Sequence, residues 1–172
     1  MRIIEQLTNT KYLNLKKVID PDNHVGGYFF AERLGVDSIA FVCLDRSINK
    51  YLLNNEYTPP TNEFLIRAFG GSLDKQISRS SIVKEEVREE AGYTVTDDMI
   101  HEVGSVFVST QMNQRCFLYL VDVTNGKKTG RIPENQVEQM ATELWRKEID
   151  IIKGDDWKSI VIIEKAKEKN II

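Results

Sequence analysis

Cysteine is scarce in this chain: Cys43 and Cys116 are the only two among 172 residues, and each sits inside an apolar run. Two cysteines so placed exclude a disulfide framework and a cysteine zinc site. They read as core residues of a protein kept in a reducing compartment. No apolar stretch approaches the length of a membrane span. The N-terminus, MRIIEQLTNTKYL, lacks the apolar centre of a signal peptide, so a cytoplasmic protein without a membrane role is expected. No long basic run offsets the net charge of −3, which argues against general nucleic-acid affinity. Internal repeats and low-complexity linkers are also missing. What remains is a chain 41% hydrophobic, long enough to bury a real core as one domain over residues 1–172.

The richest stretch runs from Gly70 to Val95, GGSLDKQISRSSIVKEEVREEAGYTV. Paired glycines close an apolar run, and a polar loop of the kind that carries function follows. The next segment reads as a helix with Glu85, Glu86, Glu89 and Glu90, stopped by Gly92 in the left-handed conformation that ends helices. In α-helical spacing Glu86, Glu89 and Glu90 share one face, with Val83, Val87 and Ala91 forming the neighbouring stripe to be buried. Like charges so close weaken an isolated helix by a few tenths of a kcal/mol per pair. A hard divalent cation reverses that sign, since Mg²⁺ takes oxygen ligands from a few carboxylates and from substrate phosphates. Taken alone, such a helix reads first as a solvated acidic face.

The whole stretch resembles the Nudix box, Gx5Ex7REUxEExGU, in which U is a bulky apolar residue. Gly71 takes the first glycine, Glu86 the Glu of RE, Val87 the first U, Glu89 and Glu90 the EE pair, Gly92 the second glycine and Tyr93 the last apolar position. Ile77 stands where the motif has its first Glu, and Glu85 where it has Arg. In the family those two brace the loop and orient the metal-binding carboxylates. Arg88, Arg67 and Arg79 are candidates to take over the missing Arg's work. Upstream, Glu56-Tyr57-Thr58-Pro59-Pro60 and Arg67-Ala68-Phe69-Gly70-Gly71 are partially similar to segments of the enzymes that hydrolyse ADP-ribose and nucleotide sugars. Arg67 and Glu85 reverse the charges that those enzymes carry, which suggests a swapped ion pair bracing the loop. A proline that marks many ADP-ribose enzymes beyond the box is absent, as Val108 and Ser109 occupy that region.

The resemblance implies an α/β (α+β) fold: a Nudix-type α/β/α sandwich with a mixed sheet and an N-terminal antiparallel strand extension over residues 1–36 that helps make a homodimer. Residues 37–172 would form the core. The patterning supplies the elements. Residues 10–18 and 25–34 read as strands of a hairpin, with Tyr28, Phe29 and Phe30 toward the core. Ser38 to Leu44 is a strand buried on both faces, and Lys50 to Glu56 is its partner. Tyr57 to Asn62 is a loop, since two prolines cannot continue a central strand. Glu63 to Phe69, Met99 to Val108 and Arg115 to Val123 are further strands. The polar link Ser109 to Gln114 is expected near the site. Thr124 to Gln136 is a long loop of the functional or mobile kind. Met140 to Arg146 is a strand and Glu148 to Lys153 a short helix. The final helix begins at Asp155-Asp156, with Trp157, Ile160, Val161 and Ile163 inward and a basic end at Lys165, Lys167 and Lys169 that suits the helix dipole.

For chemistry, the resemblance implies hydrolysis of a diphosphate bridge with Mg²⁺ or Mn²⁺ as cofactor and a small nucleotide as the substrate. The metal would be held by Glu86, Glu90 and the Gly70 carbonyl, with Glu89 binding it or positioning its waters. The general base is expected in Glu134-Asn135-Gln136, as Glu134, with Glu138 in reserve. His24 and His101 lack positional support. A catalytically silent nucleotide-binding module of the same fold is the competing class, favoured by Ile77 and Glu85 and opposed by the retained acidic residues.

Overall fold

Strand β4 (Ser38–Asp45) alternates two sets of side chains, and both sets are buried. Ile39, Phe41 and Cys43 join one core cluster, and Ala40, Val42 and Leu44 join the other. A strand with no polar phase must be covered on both faces. The computed structural model, which describes residues 1–33, 35, 37–133 and 135–172, covers it with helices on each side. The helix α1 (Arg79–Glu86) lies over the first cluster through Ile82 and Val83. The helices α3 (Glu148–Ile152) and α4 (Trp157–Glu168) lie over the second through Ile151, Ile162, Ile163 and Ala166. The architecture is the expected α/β/α sandwich.

The central sheet is mixed. β4 pairs in parallel with β10 (Arg115–Asp122) and antiparallel with β5 (Lys50–Thr58). Beyond these lie β9 (Ile100–Phe107) on β10 and β12 (Thr142–Arg146) on β5. The segment expected as one strand before the glycines is two. β6 (Glu63–Arg67) pairs with β5, and β7 (Phe69–Ser72) crosses to β4. The break falls at Ala68, whose N–H donates to Asp156 Oδ2 at 2.8 Å instead of joining a ladder. Phe69 then stacks on Phe41, with centroids 5.2 Å apart. β7 therefore delivers Gly70 and Gly71 to the mouth of the loop before α1.

A separate antiparallel sheet holds β1 (Ile3–Gln6), β2 (Leu13–Asp20) and β3 (Val25–Arg33). The sequence pattern missed β1, and Leu34, expected to close β3, lies outside the described residues. Phe30 is buried as expected, but Tyr28 and Phe29 are exposed. Phe29 lies on the face that carries Leu13 and Leu15, where little is packed, while Tyr28, on the opposite face, reaches outward to donate its hydroxyl to the Thr110 carbonyl at 3.1 Å. Two further boundaries moved. β5 continues through Tyr57 and Thr58, so the turn is carried by Pro59 to Asn62. In α4 Ser159, Ile162, Ile163 and Ala166 are fully buried and Ile160 and Val161 pack part-buried on the same core as expected, while Trp157 is exposed. Two short strands, β8 (Tyr93–Thr94) and β11 (Lys127–Lys128), pair with each other, and the one-turn helix α2 (Gln136–Met140) precedes β12. Among the described residues no helix is long and apolar enough to cross a membrane.

Candidate functional site

Ser78 starts α1 by accepting the Ser81 N–H on its side chain. The helix buries Ile82, Val83, Val87 and Ala91 against Ile39, Phe41 and Phe69. After Glu86 the backbone widens into a π-helical turn, Val87–Ala91, and stops at Gly92 with φ of 72°. A Cβ at Gly92 would also come within 3.0 Å of the Gly130 carbonyl carbon. The wide turn fits an extra residue into the helix, which changes the facing of the acidic residues. Glu90 turns inward and is only 9% exposed, Glu86 and Glu89 are half-buried, and Arg88 faces solvent. Glu89 accepts from the Arg88 guanidinium at 3.2 Å.

Glu90 and Glu86 close on the paired glycines from above. The Gly70 N–H donates to Glu90 Oε2 at 3.2 Å. Gly71 lies directly beneath Glu86: a Cβ there would lie 2.5 Å from the Glu86 carboxyl carbon and would displace that side chain. Burial first, then the Glu86 charge and smaller pushes from Glu56 and Glu138, raise the Glu90 carboxyl to about 8 against the opposing pull of the Gly70 N–H. Glu56 is held by Arg67 at 2.9 Å and by the Asn54 amide nitrogen at 2.9 Å. That bond orients the Asn54 amide. Its carbonyl oxygen is left buried and, among the described residues, without a hydrogen-bond partner.

The structure brings together Gly70, Glu86 and Glu90 of the expected set, and it adds Glu56 and Asn54, which sequence reasoning did not single out. The signal was available, since residues 54 and 56 share one face of β5 by the period of a strand. The swapped ion pair between Arg67 and Glu85 does not form. Glu85 instead pairs with Lys75 at 2.7 Å. Arg67 is taken by Glu56, Arg88 by Glu89, and Arg79 by Glu102 at 3.2 Å. The brace is thus a lysine from the loop before the helix, and the attraction of Glu89 and Glu86 also reaches it. Ile77, at the position of the motif's first Glu, is 45% exposed.

Glu134 lies outside the described residues. Its reserve, Glu138, lies on α2, which Asn135 caps by accepting the N–H groups of Val137 and Glu138. The Asn135 amide also donates to Glu138 Oε1. The loop leading there is laid along the helix end: Thr129 N–H donates to the Gly92 carbonyl at 2.7 Å and Ile132 N–H to the Glu89 carbonyl at 2.9 Å. The link Ser109 to Gln114 serves the N-terminal sheet. Ala31 N–H donates to the Gln111 carbonyl at 2.8 Å and the Asn113 amide to Glu32 at 2.6 Å. Of the histidines, His24 is exposed beyond β2 and His101, on β9, pairs with Leu120 of β10.

A divalent cation fits these donors. Among the described residues no three His, Cys, Asp or Glu side chains converge as a cage. Mg²⁺, however, needs only one or two carboxylates when substrate phosphates and water complete its shell. Glu86 and Glu90 offer those, and the unpaired Asn54 oxygen adds a hard donor to the same polar cluster. In an extended strand the N–H and carbonyl of a residue point to the same side, so Gly70, whose N–H faces Glu90, presents its carbonyl there too.

One cavity adjoins the cluster and a second lies beyond it. One of about 240 Å³ opens beside Gly70, Gly71 and Ser72 and is walled by Arg33, Arg67 and Lys158. A larger one of about 450 Å³ lies away from the acidic pair, among Leu65, Ile66, Ile151 and Trp157. The two share Arg67, Asp156 and Lys158.

In sequence, no family model and no curated protein matches the chain. In structure, it is similar to the crystal structure of an ADP compounds hydrolase. The TM-score is 0.76 at 10% identity, over 99% of this chain and 95% of that one. The likeness shows the fold, which is the Nudix fold.

Proposed function

We propose that this chain is a divalent-metal-dependent Nudix pyrophosphatase that splits a nucleoside diphosphate linked to a second moiety, of the ADP-ribose or nucleotide-sugar type, into two phosphorylated products. One observation carries the reading: two carboxylates, Glu86 and Glu90, are folded against the paired glycines Gly70 and Gly71. A fold similar to that of an ADP compounds hydrolase supports the same chemistry.

Bound Mg²⁺ or Mn²⁺ would neutralise phosphate charge and acidify water. Glu86, Glu90 and the Gly70 carbonyl would hold it, and Glu89 would orient water at its edge. Gly70 and Gly71, lacking side chains, let the diphosphate approach the backbone. Water adds to one phosphorus of the bridge, the bond from that phosphorus to the bridging oxygen breaks, and a carboxylate takes the water's proton. Glu134 is our first candidate for that carboxylate. Glu138, whose charge acts on Glu90, is the second. The cytoplasm is the proposed compartment and a homodimer the proposed assembly.

The test is coupled phosphate release on ADP-ribose, nucleotide sugars, dinucleoside polyphosphates and nucleoside triphosphates, in Mg²⁺ and in Mn²⁺. Wild type is expected to turn over one class, with Glu90→Gln lowering the rate at least a hundredfold. Whichever of Glu134→Gln and Glu138→Gln removes the base lowers it comparably. Ligand binding without turnover by folded protein would replace the enzyme with a silent binding module, for which exposed Ile77 and the Lys75 brace would be the reason.

A further inference from the structure

The sequence pattern turns Trp157 inward, yet its indole stands in a cavity wall, 39% exposed. Its place is fixed. Asp156, the residue before it, accepts the Ala68 N–H at 2.8 Å and the Ser159 N–H at 3.1 Å on one carboxylate oxygen. That oxygen ties the start of α4 to the break between β6 and β7, and β7 carries Gly70 and Gly71 to the proposed cation site. A large ring held at a cavity wall gives a ligand much contact area at little cost in side-chain entropy.

This is the larger cavity, of about 450 Å³, within the roughly 300–1,000 Å³ range of pockets that enclose a small molecule. Leu53, Leu65, Ile66 and Ile151 add to its apolar lining. Arg146, Asp150 and Asp155 stand in the same wall, and among the described residues none of the three makes an ion pair. A ligand matched to this lining has an apolar face to lie on the indole and a polar edge that both donates and accepts, to meet carboxylates and a guanidinium. A heteroaromatic ring has both. A sugar, with hydroxyls on most of its carbons, covers less of the apolar lining. Arg67, Asp156 and Lys158 belong to this wall and to that of the cavity beside the glycines. A molecule whose diphosphate lies over Gly70 and Gly71 can therefore extend past them into the larger cavity.

We infer that the larger cavity is a ring-binding subsite, with Trp157 as the platform on which the base of a nucleoside diphosphate stacks and with the second moiety left outside it. The base is then the part of the substrate that is selected, and substrates that differ in the second moiety share it. That the ring belongs to a hydrolysed substrate rests on the proposed function, whereas the subsite itself does not.

The experiment is isothermal titration of the EDTA-treated full chain with AMP and with ribose 5-phosphate, which share a phosphate and differ in the ring. Wild type is expected to bind AMP about tenfold more tightly. Trp157→Ala should bring AMP down to the ribose 5-phosphate level without moving ribose 5-phosphate. Trp157→Phe, which keeps an aromatic face, should hold most of the difference. Thermal unfolding checks that each variant keeps the fold. If Trp157→Ala does not, Ile66→Asp carries the test. It puts a charge into the lining from an exposed position on β6, and should weaken AMP about tenfold and leave ribose 5-phosphate alone. Equal affinity of wild type for the two ligands, no binding of either, or AMP binding unmoved by the folded variant overturns the subsite even if the protein hydrolyses a substrate. The expected pattern upholds it even if nothing is hydrolysed, and then only the hydrolase reading falls. Where turnover exists, Trp157→Ala should raise KM for ADP-ribose about tenfold and change kcat much less. A fall in kcat with KM unmoved counts against the inference.

Discussion

Buried beside Glu86 and within reach of Glu56 and Glu138, Glu90 keeps its proton up to about pH 8, well above the ordinary carboxylate value of 4.5. The folded state therefore binds this proton more tightly than the unfolded chain does. Its contribution to stability is fully present below about pH 4.5 and is lost as pH rises through 8. Metal-free protein should lose stability across that window by about 1.4 kcal/mol per pH unit at the steepest, a few kcal/mol in all. Denaturant unfolding of wild type and Glu90→Gln at a series of pH values measures it, and the two curves should converge at low pH and separate at pH 8. Parallel curves would remove Glu90 as the cause. Added Mg²⁺ should restore wild type at pH 8 more than it does Glu90→Gln, since a ligand of the native state stabilises by mass action. Glu56 and Asn54 entered the same cluster unannounced, because only pairing of β5 with β6 sets Arg67 beside them.

At the scale of one element, the helix with its preceding loop shows how far spacing can be read. Its start, its buried stripe and its stop at Gly92 all follow from the residues. The π turn does not, because nothing in local spacing marks where a ladder widens, and it is this turn that sends Glu90 inward. The brace was legible only in part. A charge reversal at Glu85 calls for a cation, but candidates lay at Arg67, Arg79, Arg88 and in the loop itself, and packing chose Lys75. A double-mutant cycle on Lys75→Met and Glu85→Gln should therefore return a coupling of roughly 0.2–1 kcal/mol, as for other partly exposed pairs. The cycle on Arg67→Glu and Glu85→Arg should be additive to within about 0.5 kcal/mol. Coupling in the second cycle and none in the first would reinstate the swapped pair.

Across the whole molecule, the N-terminal sheet leaves Ile3, Leu13, Leu15 and Phe29 exposed on one face. Apolar side chains grouped in this way mark an association surface more often than isolated ones do. Light scattering after size exclusion should give a dimer, and Leu15→Asp with Phe29→Asp should give monomers that unfold at nearly the wild-type temperature. A monomeric wild type would end the dimer proposal.

Composition, periodicity and one spaced motif determined the class of fold, the doubly buried β4, the acidic helix and the glycines it serves, because each depends on neighbours within a few residues. The inward turn of Glu90, the exposure of Phe29 and Trp157, the partner of Glu85 and the meeting of Arg33, Arg67 and Lys158 belong to the tertiary structure alone. Those depend on which strands pair and how a helix is rotated on its cap, and such contacts join residues too far apart in the chain for any local pattern to record.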